Sequence, residues 1–573
     1  MTSSFVFRTR IFFLVILFLA CVLIGKLFFV QIVNGETYSE RADRQYSTAS
    51  SDIFDRGSIY FSRKDGQNVF AAAQTTGFKV AVNPSKIVDP ELTFEELSKV
   101  ATIENKEEFL EKANKKNDPY EEVLNHLTKE EADSITSLKI PGVSIFKEKW
   151  RSYSGGSLAS HSIGLVAYKD TELAGRYGLE KEYDSLLTRN KNNPYTNFFA
   201  EVFSNINKKL FEGEEKEGDI VTTIEPTVQN FLEKELSKVK NKYQADSIGG
   251  IIMDPKDGSI YALSSLPDFD LNNFSKEKNS KIFSNPLVEN VLEFGSVVKP
   301  LVMAAALDTG VVTPGTKYED KGSVVIEKKE IFNFDHKARG VVNMQEVLNQ
   351  SLNTGMVFVY RKLGKQNMHD YLLSFGIKEK TGIDLPNESS GLQNLTNNLN
   401  NKREIEYATA AFGQGIALTP VAMIRALASL SNGGILVTPH LVKEIKYTDG
   451  DVEKIEYGVT NTKISPKTSE EITTMLVNVM DQSLKGGLAK FEHYSVAVKT
   501  GTAQVADSVN GGYYENRHTH SFFGYFPAYD PKFIVFLYAL NPTGSDFAST
   551  TWTDPFLSIT KFLLNYYQIP PDR

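Results

Sequence analysis

Apolar residues follow three different rhythms along this chain. From Ile11 to Val33 they run unbroken except at Lys26 and Gln31. That is long enough for a helix that crosses a bilayer, which takes ~20 residues. Between residue 34 and about residue 220, short strand-like runs such as Gly77–Val82 alternate with helical runs over Glu91–Ala101 and Pro119–Asp133. Arg189–Gly218, rich in Asn, Lys and Glu, reads as a connector with one helical piece, Asn197–Phe211. From Asp219 the texture changes again. Ile220–Ile224 alternates with the period of a half-buried strand, and Glu225–Lys240 reads as a helix. Ser247–Met253 and Ser259–Ser264 bracket Asp254-Pro255-Lys256-Asp257-Gly258, a turn by composition, and so predict a hairpin. A helix carrying Ser296 runs to near Gly310. Thr419-Pro420 caps another, which Gly433-Gly434 stops. Ser495–Val505 and Ser521–Asn541 hold further strands, and Pro555–Tyr567 predicts a closing helix. Strands at both ends with helices between predict an α+β domain whose terminal segments share one antiparallel sheet.

The pattern divides the chain into a short tail (1–10), a membrane anchor (11–33), a mixed domain (34–218) and a second α+β domain (219–573). Arg8 and Arg10 precede the anchor, while Glu36, Glu40, Arg41, Asp43 and Arg44 on its far side are mixed in sign. The positive-inside rule then places the N-terminus in the cytoplasm and everything after residue 33 outside, as a single-pass protein of the cytoplasmic membrane. Lys26, near the outer end, can snorkel to the interface. A cleaved signal peptide is the other reading, but the run is long for one and no small-x-small site follows it. A lipoprotein site at Cys21 is a further alternative, although apolar sequence continues past it. Cys21 is the only cysteine, so the exported part has no disulfide and depends on its core.

Charge narrows the function. Of the 573 residues, 23% are charged and the net charge is −8. Nucleic-acid binders carry basic patches, so this balance argues against such a partner. No glycine-rich phosphate loop of the nucleotide or dinucleotide type occurs, which argues against ATP or NAD as cofactor. His518-Thr519-His520 could hold a metal from one strand face, but no further ligands cluster near it in sequence. It is expected at the start of a strand as polar surface.

The chemistry centres on Glu293-Phe294-Gly295-Ser296-Val297-Val298-Lys299-Pro300. A serine needs a base to become a nucleophile, and a lysine three residues on shares its helix face. Held among Val297, Val298, Leu301 and Val302, that lysine is desolvated and its ammonium form disfavoured. Spacing alone decides nothing, since Ser144/Lys147, Ser237/Lys240, Ser275/Lys278 and Ser558/Lys561 match it too. Two downstream pieces single out Ser296. Ser351-Leu352-Asn353 offers a hydroxyl to relay a proton and an amide to bind a peptide bond or orient a lysine. Lys499-Thr500-Gly501-Thr502, on a predicted edge strand, offers positive potential, hydroxyl donors and a glycine for close backbone approach, and an extended peptide could lie along it. A second Lys-Thr-Gly, at 380–382, lacks the alternating apolar approach of 495–498 and reads as a turn.

Ser-x-x-Lys, Ser-x-Asn and Lys-Thr-Gly in this order resemble the signature of penicillin-binding proteins and serine β-lactamases. Arg151-Ser-Tyr153, Ala159-Ser-His161-Ser-Ile-Gly164 and Tyr177–Asp184 resemble the pedestal of class B penicillin-binding proteins. Met253-Asp-Pro255, Ser265–Asp270, Gly413–Pro420 and Phe523–Pro527 extend the likeness over nearly the whole chain. The resemblance implies an elongated mixed pedestal (34–218) and a transpeptidase domain (219–573), an antiparallel sheet flanked by helices with a helical subdomain. It leaves no room for a glycosyltransferase domain. It implies a peptidoglycan D,D-transpeptidase that needs no cofactor. Ser296 would attack the D-Ala-D-Ala bond of a stem peptide and Lys299 would take its proton. The N–H groups of Ser296 and Thr502 would form an oxyanion hole, Ser351 would protonate the leaving D-Ala, and Lys499, Thr500 and Thr502 would hold its carboxylate. β-Lactams would acylate the same serine. A membrane glycan polymerase and division-complex proteins are the implied partners, and the division type is favoured over the elongation type. Two departures stand out. Phe294 occupies a position usually held by Pro, and the pedestal's Arg-Gly motif is reduced to Arg56-Gly57-Ser58-Ile59-Tyr60-Phe61. A β-lactamase, a D,D-carboxypeptidase, a β-lactam sensor and a non-catalytic division scaffold remain as alternatives.

Overall fold

A computed structural model describes residues 55–169, 172–189, 216–391, 403–507 and 511–573, with isolated helical positions between 13 and 26. The proposed anchor lies mostly outside the described residues, and the helical piece of the connector lies outside them altogether. Among the described residues no helix is long and apolar enough to cross a membrane.

The chain forms two compact units that interleave in sequence. The smaller contains residues 74–150. Its core gathers Val80, Leu97, Phe109, Leu124, Leu127 and Ile135. Helices Pro90–Ser98 and Lys106–Ala113 contribute the middle of that list. Here one expectation is corrected. Residues 119–133 are not a single helix: Glu121–Leu127 is a strand paired antiparallel with Phe78–Val82, and the helix Lys129–Leu138 starts only afterwards. Thr128 and Glu131 form a capping box at that start, which satisfies two backbone donors and fixes the boundary.

The larger unit holds residues 57–73, 151–188 and 209–573. It is built on a five-stranded antiparallel sheet of β1 (Ser247–Met253), β2 (Ile260–Leu266), β3 (Ala497–Ala506), β4 (Tyr513–Phe526) and β5 (Phe533–Leu540), in the order β3-β4-β5-β1-β2. β5 reads Phe-Ile-Val-Phe-Leu-Tyr-Ala-Leu with no polar alternation, so both of its faces must be covered. Helix α1 (Pro226–Tyr243) and the closing helix α6 (Ala548–Tyr566) cover one face. Between them lie α2 (Lys299–Asp308), α3 (Asn353–Ser374), α4 (Pro420–Ala428) and α5 (Pro466–Asn478), of which α4 and α5 pack against the sheet's strands. Glu225 caps α1 by accepting from Val228 N at 2.7 Å, with Pro226 in the first turn. α1 buries Val228, Leu232, Leu236 and Val239 at helical spacing.

α6 starts seven residues before Pro555, the residue at which the sequence reading began it. Pro555 lacks the N–H that would bond one turn back. The turn around it is tied to the sheet instead: Trp552 Nε1 donates to His520 O at 3.2 Å, and Thr551 Oγ1 lies 2.9 Å from His520 Nδ1. His520 is therefore core, fully buried in β4, and not the polar surface expected of it. Burial pushes its pKa down to about 4.

Leu236→Ala in α1 is expected to lower the stability of this unit by about 2–5 kcal/mol, because a fully buried side chain leaves a cavity. The denaturant midpoint should fall with an unchanged slope.

Candidate active site

Ser296 lies in a tight turn, Gly295–Val298, that leads directly into α2. α2 is apolar on every side and buries Pro300 to Leu307, so it is a helix of the interior. Lys299, its first residue, is carried inward and is 0% exposed. The amine finds three oxygens there: Ser351 O at 2.5 Å, Asn353 Oδ1 at 2.9 Å and Ser351 Oγ at 3.2 Å. None of these is an anion. Burial, with the nearby Lys499, holds the Lys299 pKa well below its usual value.

Ser351 and Asn353 reach this point from the start of α3. Ser351 adopts a left-handed backbone (φ 55°), which a residue with a Cβ holds only when its surroundings impose it. The turn points the Ser351 carbonyl and hydroxyl at Lys299. On the other side, Lys499 projects from β3 and is 2% exposed. Its amine lies 3.0 Å from Ser351 Oγ and 3.0 Å from Thr500 O. Ser351 Oγ thus sits between two lysine amines. Burial lowers the Lys499 pKa to about 7. The sequence assigned Lys499 only a positive potential on an edge strand. The strand is indeed at the sheet edge, but the amine also bonds inward to Ser351.

Gly501 explains how close the Ser296 turn lies to β3. A Cβ at 501 would come within 2.3 Å of Phe294 O and 2.5 Å of Ser521 Oγ. Gly295 (φ 64°) lies as tightly against the Thr502 carbonyl, which places the backbones of Ser296 and Thr502 side by side. Phe294, the unexplained departure from the family's proline, belongs to this junction. Its ring is fully buried and meets Phe536 edge-on, centroids 5.0 Å apart, with Tyr538 at 6.1 Å. Its carbonyl accepts from Ser521 Oγ at 2.6 Å. Its φ of −107° lies outside the range a proline ring allows.

The cleft over these residues has a volume of about 1210 Å³, and Ser296, Ser351, Asn353, Lys499, Thr500 and Thr502 line it. All the residues expected from sequence are thereby brought together, with Gly501 beneath the floor. Sequence reasoning missed the aromatic rim of Phe332, Phe334 and Phe547, the last two with ring centroids 5.7 Å apart. It also missed the clasp beside Ser296 in which Tyr513 OH donates to Glu293 at 3.1–3.2 Å. The second Lys-Thr-Gly stands elsewhere. Thr381 N and Gly382 N donate to the Glu388 carboxylate, a turn held by its own side chain. Among the described residues no group of three or more His, Cys, Asp or Glu is placed to hold a metal ion.

Comparison with known proteins was made against this geometry. Residues 248–557 match the penicillin binding protein transpeptidase domain, and residues 54–223 match the penicillin-binding protein dimerisation domain. The chain is 31% identical to stage V sporulation protein D of Bacillus subtilis over 532 residues, covering 91% of this chain and 79% of that protein. It is 26% identical to the peptidoglycan D,D-transpeptidase FtsI of Buchnera aphidicola over 578 residues, 98% of this chain and 95% of the other. In fold it is similar to the crystal structure of penicillin binding protein 2X from Streptococcus thermophilus, with a TM-score of 0.70 and 21% identity over 90% of this chain and 80% of that one.

The lysine assignments have a measurable consequence. Lys499 titrates near 7 when folded and near its ordinary value when unfolded. Between these values the unfolded chain binds more protons, so stability rises with pH across that window. The denaturation midpoint should climb from pH 7 to pH 9, and Lys499→Met should flatten part of the climb. Gly501→Ala should lower the melting temperature, because Phe294 O must move.

Proposed function

The chain belongs to the penicillin-binding protein transpeptidase family, and from that premise we propose that it cross-links peptidoglycan stem peptides through an acyl-enzyme on Ser296, at the division septum. The observation that carries this reading is the placement of Lys299: a fully buried amine with only neutral acceptors around it, one turn from a serine on a cleft floor. Burial disfavours the charged form of such an amine, and its neutral form can take a proton.

Ser296 Oγ attacks the carbonyl between the two D-Ala residues, and its proton passes to Lys299. The N–H groups of Ser296 and Thr502, whose backbones lie side by side, face the developing oxyanion. Collapse breaks the C–N bond. Ser351 Oγ, shared by the two lysines, hands a proton to the departing D-Ala amine, and Lys299 restores it. Thr500 and Thr502 hold the leaving carboxylate, and Lys499, half-protonated near neutral pH, completes that end. The amine of a second stem peptide then takes the acyl group by the reverse path. The free energy of the broken amide is kept in the ester, so no nucleotide is consumed. A β-lactam enters by the first half alone.

The septal assignment is supported by the likeness to the FtsI protein over nearly the whole chain. The apolar run 11–33, preceded by Arg8 and Arg10, supports a retained anchor that keeps the enzyme on the outer face of the cytoplasmic membrane. There a glycan polymerase would supply its strands, contacted through the anchor and pedestal.

Full-length protein in detergent should be labelled by a fluorescent penicillin. Ser296→Ala should abolish the label, and Lys299→Met should slow it by about 10²–10⁴-fold. Steady turnover of nitrocefin, in place of a single burst, would instead favour a β-lactamase. In a depletion strain, Ser296→Ala should fail to restore growth, and a fluorescent fusion should gather at the septum. Growth on the alanine variant, or a uniform side-wall signal, would overturn the catalytic or the septal assignment respectively.

A further inference from the structure

One buried carboxylate close to the site has no part in the chemistry above. Asp320 ends the strand Lys317–Asp320 and is 1% exposed. Its hydrogen-bond partners are all neutral donors. Thr354 Oγ1 lies at 2.7 Å, Asn333 Nδ2 at 3.0 Å from each oxygen, Arg339 N at 3.0 Å and Gly322 N at 3.1 Å. A carboxylate removed from water is tolerated where donors replace its hydration in this way.

Two of those donors belong to residues that frame Asn353. Thr354 follows it in sequence, and its N–H donates to Asn333 Oδ1 at 3.2 Å. Asn333 follows Phe332, whose carbonyl accepts from Asn353 Nδ2 at 2.9 Å. Asp320 therefore grips both sides of the Asn353 side chain, one through α3 and one through the chain after the strand Lys329–Phe332. The Phe332 carbonyl can only accept, so it must face the amide NH₂. The amide oxygen is left for Lys299, 2.9 Å away. A neutral lysine amine has two N–H bonds and one lone pair. With Ser351 O and Asn353 Oδ1 taking the two N–H bonds, the lone pair is left free of both, on an amine whose third neighbour is the hydroxyl Ser351 Oγ at 3.2 Å.

We propose that Asp320 is a positioning residue for acyl transfer: through Asn333 and Thr354 it fixes Asn353 with its amide oxygen on the Lys299 amine, and so aims the base at Ser296. This rests on the transpeptidase reading. Asp320 touches neither substrate nor reacting atoms, and its effect passes wholly through Asn353. Second-layer support of this kind matters because a misplacement of about 1 Å at the base can slow a reaction by about 100-fold.

The test is a double-mutant cycle on the full-length protein, following acylation by a fluorescent penicillin resolved into the non-covalent dissociation constant and the acylation rate constant. Asp320→Asn should slow acylation by about 10- to 100-fold with the dissociation constant unchanged. Asn353→Ala should slow it comparably, and the double variant should be no slower than Asn353→Ala alone. Wild-type acylation by Asp320→Asn would overturn the proposal. So would a second full loss when Asp320→Asn is added to Asn353→Ala, because Asp320 would then act independently of Asn353. If Asp320→Asn shows no cooperative melt, Thr354→Val, which keeps the shape and removes the hydroxyl, takes its place in the same cycle with the same two outcomes. Labelling of Ser296→Ala at the wild-type rate is a distinct result. It would remove the acyl-enzyme reading itself, and this proposal with it.

Discussion

Two buried lysines whose amines share one serine hydroxyl are the constraint around which the larger unit is arranged. An amine in such a place loses its hydration, and among the described residues no carboxylate is bonded to either amine to replace it. The neutral form is then favoured, and the neutral form is the base. The rest of the local structure keeps that condition in force. α2 is apolar all round so that Lys299 enters the interior, Ser351 holds a left-handed backbone so that its carbonyl meets the amine, and β3 brings Lys499 from the opposite side. Reactivity here follows from solvation as much as from the identity of the groups.

The sheet has a mechanical part in this. β3 is an edge strand, open on one side, and the turn bearing Ser296 is pressed against it at Gly501. The same contact is anchored from beneath by the Phe294 ring on Phe536 and Tyr538 in β5. Ser296, the backbone at Thr502 and the edge strand itself are thus referenced to one layer. Phe332, Phe334, Phe547 and Tyr513 line the same cleft, Tyr513 tied to Glu293 beside the turn.

Much of this was legible in the sequence because it is local. The hairpin 247–266, the capped helices at 226 and 420, and the edge strand at 497 each carry turn or cap chemistry that names its own boundary. The helix read through residues 119–133 failed where local signals compete. Thr128-x-x-Glu131 announces a helix start, but apolar periodicity alone draws the strand before it into the same element. Pro555 misled for the opposite reason, since contacts from Trp552 and Thr551 to His520 hold a helix through a residue that ordinarily begins one. The site residues were legible as three motifs and illegible as a geometry. Nothing in the spacing of Ser351 shows that it stands between two lysines. Asp320 and Asn333 could not be found at all, since a short hairpin brings them to Thr354 and no motif includes them. Phe294 was visible as an anomaly, and only the packing beneath the turn explains it.

The complete burial of Lys299 has a consequence for how the reaction treats protons. An amine with no exposed surface has no direct contact with solvent, and the hydroxyl nearest to it is Ser351 Oγ at 3.2 Å. In the proposed reaction the serine's proton is held by Lys299 and passed through Ser351 Oγ to the departing group. In the proposed acylation the proton can therefore travel by way of these side chains, with no need of a solvent molecule as carrier. The pH of the medium can set whether this path begins charged or neutral.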